Sequence, residues 1–153
     1  MREVVRGMLA LWLLLGTARW ANAKCAMTQA DIDAAIQAAD AQCAQESPPA
    51  SCTTATSHGQ YVSCISHKVN DNTAVPPECR GAVKRCAARS TCGKQSFITC
   101  CKTKSDGTTK CSTKHDALGD GTICTDHAPP GGSACVGHHP SCCDACTSSG
   151  CAP

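Results

Sequence analysis

The chain has 153 residues, 16 of them cysteine, a formal net charge of +2 and only 3% aromatic residues. So few aromatic side chains argue against base-stacking recognition of nucleic acid. So few branched apolar ones argue against the deep, dry cleft that enzyme sites use, and so many cysteines argue against a reducing compartment.

Residues 1–23 read as a secretion signal. Arg2 and Arg6 form the positive end, Met8 to Gly16 (MLALWLLLG) the apolar run, and Ala21-Asn22-Ala23 the small-x-small cleavage site. The run is far shorter than the roughly 18 to 20 residues of a membrane span, and no second run follows, so no membrane span is expected. Removing this stretch takes away both tryptophans and every leucine except Leu118. Residues 24–153 keep five Val, five Ile, Leu118, Met27, Phe97 and Tyr61 as their sizeable apolar side chains. A chain so poor in core would ordinarily stay disordered. All sixteen cysteines remain, however, and that density in an exported chain marks a disulfide scaffold. The expected bridge-forming residues are Cys25, Cys43, Cys52, Cys64, Cys79, Cys86, Cys92, Cys100, Cys101, Cys111, Cys124, Cys135, Cys142, Cys143, Cys146 and Cys151.

Lys24 to Gln45 is the clearest helix. Thr28 stands as its N-cap with Asp31 three residues on. Ile32, Ile36, Ala39 and Cys43 form one apolar stripe, with Asp33 and Asp40 outside it, and Ser47-Pro48-Pro49 ends the helix. A second helix is expected over about 59–69, with Tyr61, Cys64, Ile65 and Lys68 on one side. A third starts near Pro76-Pro77-Glu78, carries Cys79, Val83 and Cys86 on one stripe, and stops by Gly93. The spacing favours bridges among these helices through Cys43, Cys64, Cys79 and Cys86. Residues 96–103 and 108–113 are β-prone around the turn signal Ser105-Asp106-Gly107, which predicts a hairpin. From His115 on, Gly, Pro, Ser, Asp and Cys dominate, so the tail is expected to be irregular and held by cystines. Adjacent cysteines rarely pair with each other. The doublets Cys100-Cys101 and Cys142-Cys143 are therefore expected to act as junctions, each sending bridges to two partners.

Charge is segregated along the chain. Residues 78–114 hold nine Lys or Arg against Glu78 and Asp106, a formal +7, between segments of −3 and −4. Arg80, Lys84, Arg85 and Arg89 on the third helix are the anion-binding candidates, followed by Lys94, Lys102, Lys104, Lys110 and Lys114. If these project to one side, an anionic surface or polymer is the expected partner, and any nucleic-acid binding is nonspecific. The competing expectation is that the acidic ends fold back and neutralise them.

Four constellations in the tail invite chemistry. Cys143-Asp144-Ala145-Cys146 is formally a C-x-x-C, but no βαβ unit precedes it as in a redox enzyme. His138, His139, Cys142, Cys143, Cys146 and Cys151 are ligand types for zinc or copper(I). From this cluster, His138, His139, Cys142 and Cys146 give an alternative metal site, although an oxidised chain leaves few thiolates. Asp116, Asp120, Gly121 and Asp126 imitate a calcium loop, yet Leu118 and His127 occupy positions that need oxygen ligands, so a polar turn is the better account. No G-x-S-x-G, H-E-x-x-H, phosphate loop or G-x-G-x-x-G occurs.

Two resemblances bear on these segments. Pro140 to Cys151 (PSCCDACTSSGC) resembles a stretch of Bowman–Birk protease inhibitors, and inhibition is what that resemblance implies. The loop between Cys146 and Cys151 holds only four residues and lacks the family's proline pair. HGQYVSC (58–64), CRGAVKRCAARSTCGK (79–94), FITCCKT (97–103), KCS (110–112), GGSACVG (131–137) and SCCDAC (141–146) are together similar to secreted cysteine-rich proteins of environmental, myxobacteria-like bacteria. That similarity implies a signal peptide and an envelope or extracellular setting, and no activity or cofactor.

The expected protein is small and disulfide-rich. Its N-terminal half is mainly α (24–93), followed by a short β-hairpin and an irregular cystine-stapled tail (94–153), all in one secreted domain. Its expected role is non-enzymatic, binding or structural, in the periplasm or outside the cell. The alternatives are a metal-binding or thiol-redox module built on the Cys/His tail, and a protease inhibitor.

Overall fold

The computed structural model describes residues 24–152, so the signal-peptide reading of 1–23 lies outside the described residues. Helix α1 spans Gln29–Cys43 and begins where Thr28 turns extended, at φ −71° and ψ 166°. The Thr28 hydroxyl accepts the Asp31 N–H at 3.2 Å, and the Asp31 carboxylate accepts the Thr28 N–H at 2.9 Å, a complete capping box. These bonds to Thr28 also hold the Asp31 carboxyl below its ordinary range. Residues 24–28 therefore lie outside the helix expected from Lys24, and Cys25 there bridges to Cys79.

Helix α2 spans His58–Asp71 and α3 spans Pro77–Ala88. Ile32, Ala35, Ala39 and Cys43 of α1 are buried against Tyr61, Ile65 and Val69 of α2 and Cys79, Val83 and Ala87 of α3. Ile36 leaves the stripe: it is only half-buried and faces a cleft described below. Cys43–Cys64 joins α1 to α2 as the spacing suggested, while Cys52–Cys92 ties the α1–α2 loop to the end of α3. The other two helix cysteines find partners outside the three helices: Cys79 goes to Cys25, ahead of α1, and Cys86 to Cys143 in the tail. Lys68 on α2 pairs with Glu46 after α1.

The hairpin forms in the expected place, β1 over Phe97–Thr103 and β2 over Thr109–His115. The tail adds to it. Strand β3, Ser133–Gly137, pairs antiparallel with β1 and makes a three-stranded sheet in the order β2-β1-β3. A four-residue helix α4, Thr122–Thr125, and a tiny pair of strands, β4 (Cys146–Thr147) and β5 (Gly150–Cys151), complete the stapled tail.

Register explains the bridges. Cys111, Cys101 and Cys135 stand directly opposite one another on β2, β1 and β3. Opposed residues share a face, so the three form one row, and each reaches down to the tail: Cys111–Cys142, Cys101–Cys146 and Cys135–Cys151. Cys100, one residue along β1, points to the opposite face and bridges to Cys124 of α4. Both doublets are junctions. The first works across the two faces of a strand, and the second sends Cys142 to the sheet and Cys143 to α3.

Candidate functional site

The tail meets the helices along residues 139–144. Ser90 and Ser141 form an isolated antiparallel bridge, the Thr91 N–H donates to Pro140 O at 2.8 Å, and the Cys142 N–H donates to Arg89 O at 3.1 Å. Above this seam lies a cleft of about 180 Å3. One wall comes from α1, where Asp33, Ile36, Gln37 and Asp40 recur at i, i+3, i+4 and i+7 and so share a face. The tail supplies His139, Pro140 and Asp144 opposite, and Tyr61 of α2, only 2% exposed, closes the inner end.

Electrostatics in the cleft are acidic. Burial and the neighbouring Asp33 push the Asp144 carboxyl above its ordinary range, while His139 opposes the shift from 3.8 Å. One Asp144 oxygen, Oδ1, is sealed from solvent without a hydrogen-bond partner. The Tyr61 phenol is raised by burial first, then by Asp40 and Asp144. Asp40 Oδ1 also accepts the Cys52 N–H at 2.6 Å, which fixes that carboxylate on the rim.

Serine, histidine and aspartate occur together here, but not as a nucleophile and its base. The Ser90 hydroxyl donates to Ala87 O at 2.7 Å, and the Ser141 hydroxyl to Cys86 O at 3.0 Å, so both are committed to backbone. His58, by contrast, works as a strut: Nδ1 lies 2.8 Å from Cys92 O and Nε2 3.0 Å from Ala88 O, tying the start of α2 to the end of α3.

The sequence-predicted residues are distributed otherwise. Arg80 and Lys84 lie on one side of α3, and Arg85 and Arg89 on the other, because nine residues of helix amount to two and a half turns. Arg80 is half-buried, with Nε unpartnered, and the Lys84 ammonium donates to Asn70 at 2.7 Å. Lys94 is half-buried and donates to Ser90 O at 2.9 Å, and burial lowers its pKa. The hairpin lysines do come together. Lys102 and Lys110 are directly opposed, and Lys114, opposite Ile98, shares their face of the sheet. Among the described residues, no Lys or Arg of 78–114 forms an ion pair with a carboxylate, so the acidic ends do not neutralise them by contact.

The C-x-x-C cysteines are not bonded to each other: Cys143 pairs with Cys86 and Cys146 with Cys101. No cysteine of the chain is free. Sulfurs from neighbouring bridges nevertheless crowd together, Cys101, Cys111 and Cys146 in one group and Cys101, Cys135 and Cys151 in another. His138 is exposed and His139 stands at the cleft, so the residues of the alternative metal site are dispersed between cleft and bridges. The calcium-like segment is a turn. Asp116 is 5% exposed and accepts the N–H groups of Gly119 and Gly121, and Asp120 accepts that of Thr122. The inhibitor-like loop is the tight turn between β4 and β5, with Ser148 and Ser149 exposed.

Among the described residues, no helix is long and apolar enough to cross a membrane. Fold and bridges together define a small, disulfide-stabilised α+β protein. Compared with protein-family models, with curated proteins and with solved structures, the chain matches none.

Proposed function

We propose that the chain is exported, loses residues 1–23, and serves in the periplasm or outside the cell as a non-enzymatic binding or structural protein. The observation that carries this reading is the pairing of all sixteen cysteines, a state that persists in oxidising compartments. The commitment of both cleft serines to backbone carbonyls supports the non-enzymatic part. On this reading the partner is an anionic surface or polymer. Lys102 and Lys110 stand opposite each other across the hairpin, a like-charge pair that a polyanion relieves, and Lys114 lies further along the same face. The sheet lysines carry this reading, and the α3 arginines, being divided between two sides, do not.

Two measurements test it. Protein purified from an oxidising compartment should contain no free thiol and begin at Lys24; an intact Met1 would refute export with cleavage. Retention on heparin at low salt should fall steeply as salt rises, and Lys110→Glu with Lys114→Glu should abolish it, while Arg85→Glu with Arg89→Glu should weaken it far less. A protein that passes unretained refutes the anionic partner.

A second reading, a metal-binding or thiol-redox module, is favoured by the crowding of sulfurs along the cystine row. It requires thiolates, so two to four free thiols in the purified protein would select it over the first.

A further inference from the structure

The cleft between α1 and the tail is built for a positive charge on an apolar stem. Asp33, Asp40 and Asp144 line it, and among the described residues no lysine or arginine does. Acidic side chains alone do not make a site, but Tyr61 supplies an independent sign of one. It is the chain's single tyrosine and is 2% exposed, and among the described residues its hydroxyl has no hydrogen-bond partner. That hydroxyl is also not among the polar atoms sealed from solvent, so its open side is the cleft it lines. A buried phenol ordinarily finds a partner, and this one belongs to a residue that lines the cleft. The hydroxyl is an unmet acceptor, and the groups that act on it, Asp40 and Asp144, are anionic.

The carboxylates do not converge as metal ligands. Among the described residues, the groups of three or more ligating atoms within 4.8 Å of one another consist of cystine sulfurs, and none includes a cleft carboxylate or His139. Spread oxygens with Ile36 and Pro140 between them suit an organic cation better than a bare ion. We propose that this cleft binds an alkylammonium or alkylguanidinium group. The charged end is taken by Asp33, Asp144 and the Tyr61 hydroxyl with Asp40 at the rim, and the aliphatic stem packs on Ile36 and Pro140. A volume of about 180 Å3 admits one such chain and little more. The neutral phenol accepts a hydrogen bond from the ammonium, and Asp33 and the part-exposed Asp144 carboxylate supply the charge.

Amide chemical shifts of the oxidised protein, followed by NMR during titration, test the proposal. The probes are n-butylammonium, Nα-acetyl-lysine amide, 1-butanol and calcium chloride. Both amines should saturate the same amides, those of Asp33, Ser90, Ser141 and Asp144, with 1-butanol at least tenfold weaker and calcium without a saturable effect. Binding of acetyl-lysine amide as tight as that of butylammonium assigns the group to a basic peptide side chain; weaker binding assigns it to a free amine. Asp144→Asn should weaken amine binding about tenfold and Tyr61→Phe about fivefold, each with an otherwise unchanged amide spectrum. Butanol binding as tightly as the amine would overturn the proposal. So would saturation by calcium at the same amides, or an Asp144→Asn protein that binds amine unchanged.

Discussion

In the helical half the fully buried side chains include Tyr61, Ile65, Val69 and Val83 as well as Cys43 and Cys79, with Ile32 and Val75 beside them. In the sheet half they are Thr99, Ala145 and the cysteines 100, 101 and 124, with Asp116 and Cys142 close behind. The first half has an apolar core to which three bridges are added. The second has sulfur where a core would be, in four bridges of its own. Leu118, the one leucine of the tail, is 81% exposed, so that residue is not used for packing. One chain thus shows two ways of offsetting conformational entropy, burial in one region and restriction of the unfolded state in the other.

Reduction separates them most sharply. Four bridges at about 2–4 kcal/mol each match or exceed the whole stability of a typical domain, roughly 5–15 kcal/mol. Full reduction at neutral pH, without heat or denaturant, should abolish amide protection from Phe97 to Cys151 and remove the native far-UV circular dichroism. Residual helical signal should come from the segments around Ile65 and Val83. Protection of the sheet amides after reduction would break the comparison. Core truncation probes it from the other side. Ile65→Ala, at a fully buried site, should cost about 2–5 kcal/mol, and Ile98→Ala, on the half-exposed sheet, under about 1 kcal/mol, as read from denaturant midpoints. Equal costs would mean that the sheet has a core after all.

The segment between the halves gives a smaller effect. Gly93 has φ +67°, and a Cβ there would lie 2.5 Å from Ser57 O, whereas Gly107 at the hairpin turn has φ +79° and open space. Gly107→Ala should cost about 1 kcal/mol from backbone strain alone. Gly93→Ala should cost at least about 1 kcal/mol more, because α2 must give way. The smallest effect is a pH dependence at the seam. Asp144 is raised above the ordinary carboxylate range by burial and by Asp33, so its neutral form favours the folded state. Its contribution is present below the ordinary range and is lost as pH rises through the raised value. Asp144→Asn should therefore flatten stability across that acidic window and raise the denaturant midpoint at neutral pH. A midpoint that falls would show that the carboxylate stabilises the seam instead.

The legible parts of the fold were those written in consecutive residues. Thr28 with Asp31 marked the start of α1, Pro76-Pro77-Glu78 that of α3, and Ser105-Asp106-Gly107 the turn of the hairpin. Strand β3 was not legible, because Ser133-Ala134-Cys135-Val136-Gly137 has one branched residue between glycine-rich flanks. Its extended form comes from the place of Cys135 in a row with Cys101 and Cys111, a long-range fact. The same holds for bridge partners: helical spacing favoured bridges among Cys43, Cys64, Cys79 and Cys86 without assigning pairs, and only Cys43–Cys64 formed among them, while Cys86 crosses to Cys143. The cleft needs Asp33, Tyr61 and Asp144 from three segments, and only chain topology assembles those. Asp33 and Asp40 were visible as lying off the core stripe of α1, which was the one available hint.

Of the eight bridges, Cys86–Cys143 alone links the two halves, since every other bridge closes on one side of Cys92 or the other. The peptide between Cys92 and Cys100, with Gln95 and Ser96 exposed, is the other covalent route. A protease that cuts there releases nothing. The nicked molecule keeps its two parts joined through one sulfur–sulfur bond, with the seam at Ser90 and Ser141 still pairing them. It migrates as a single species until a reductant is added, and as two afterwards. A cut in the backbone stretch that joins the two halves therefore leaves them covalently together.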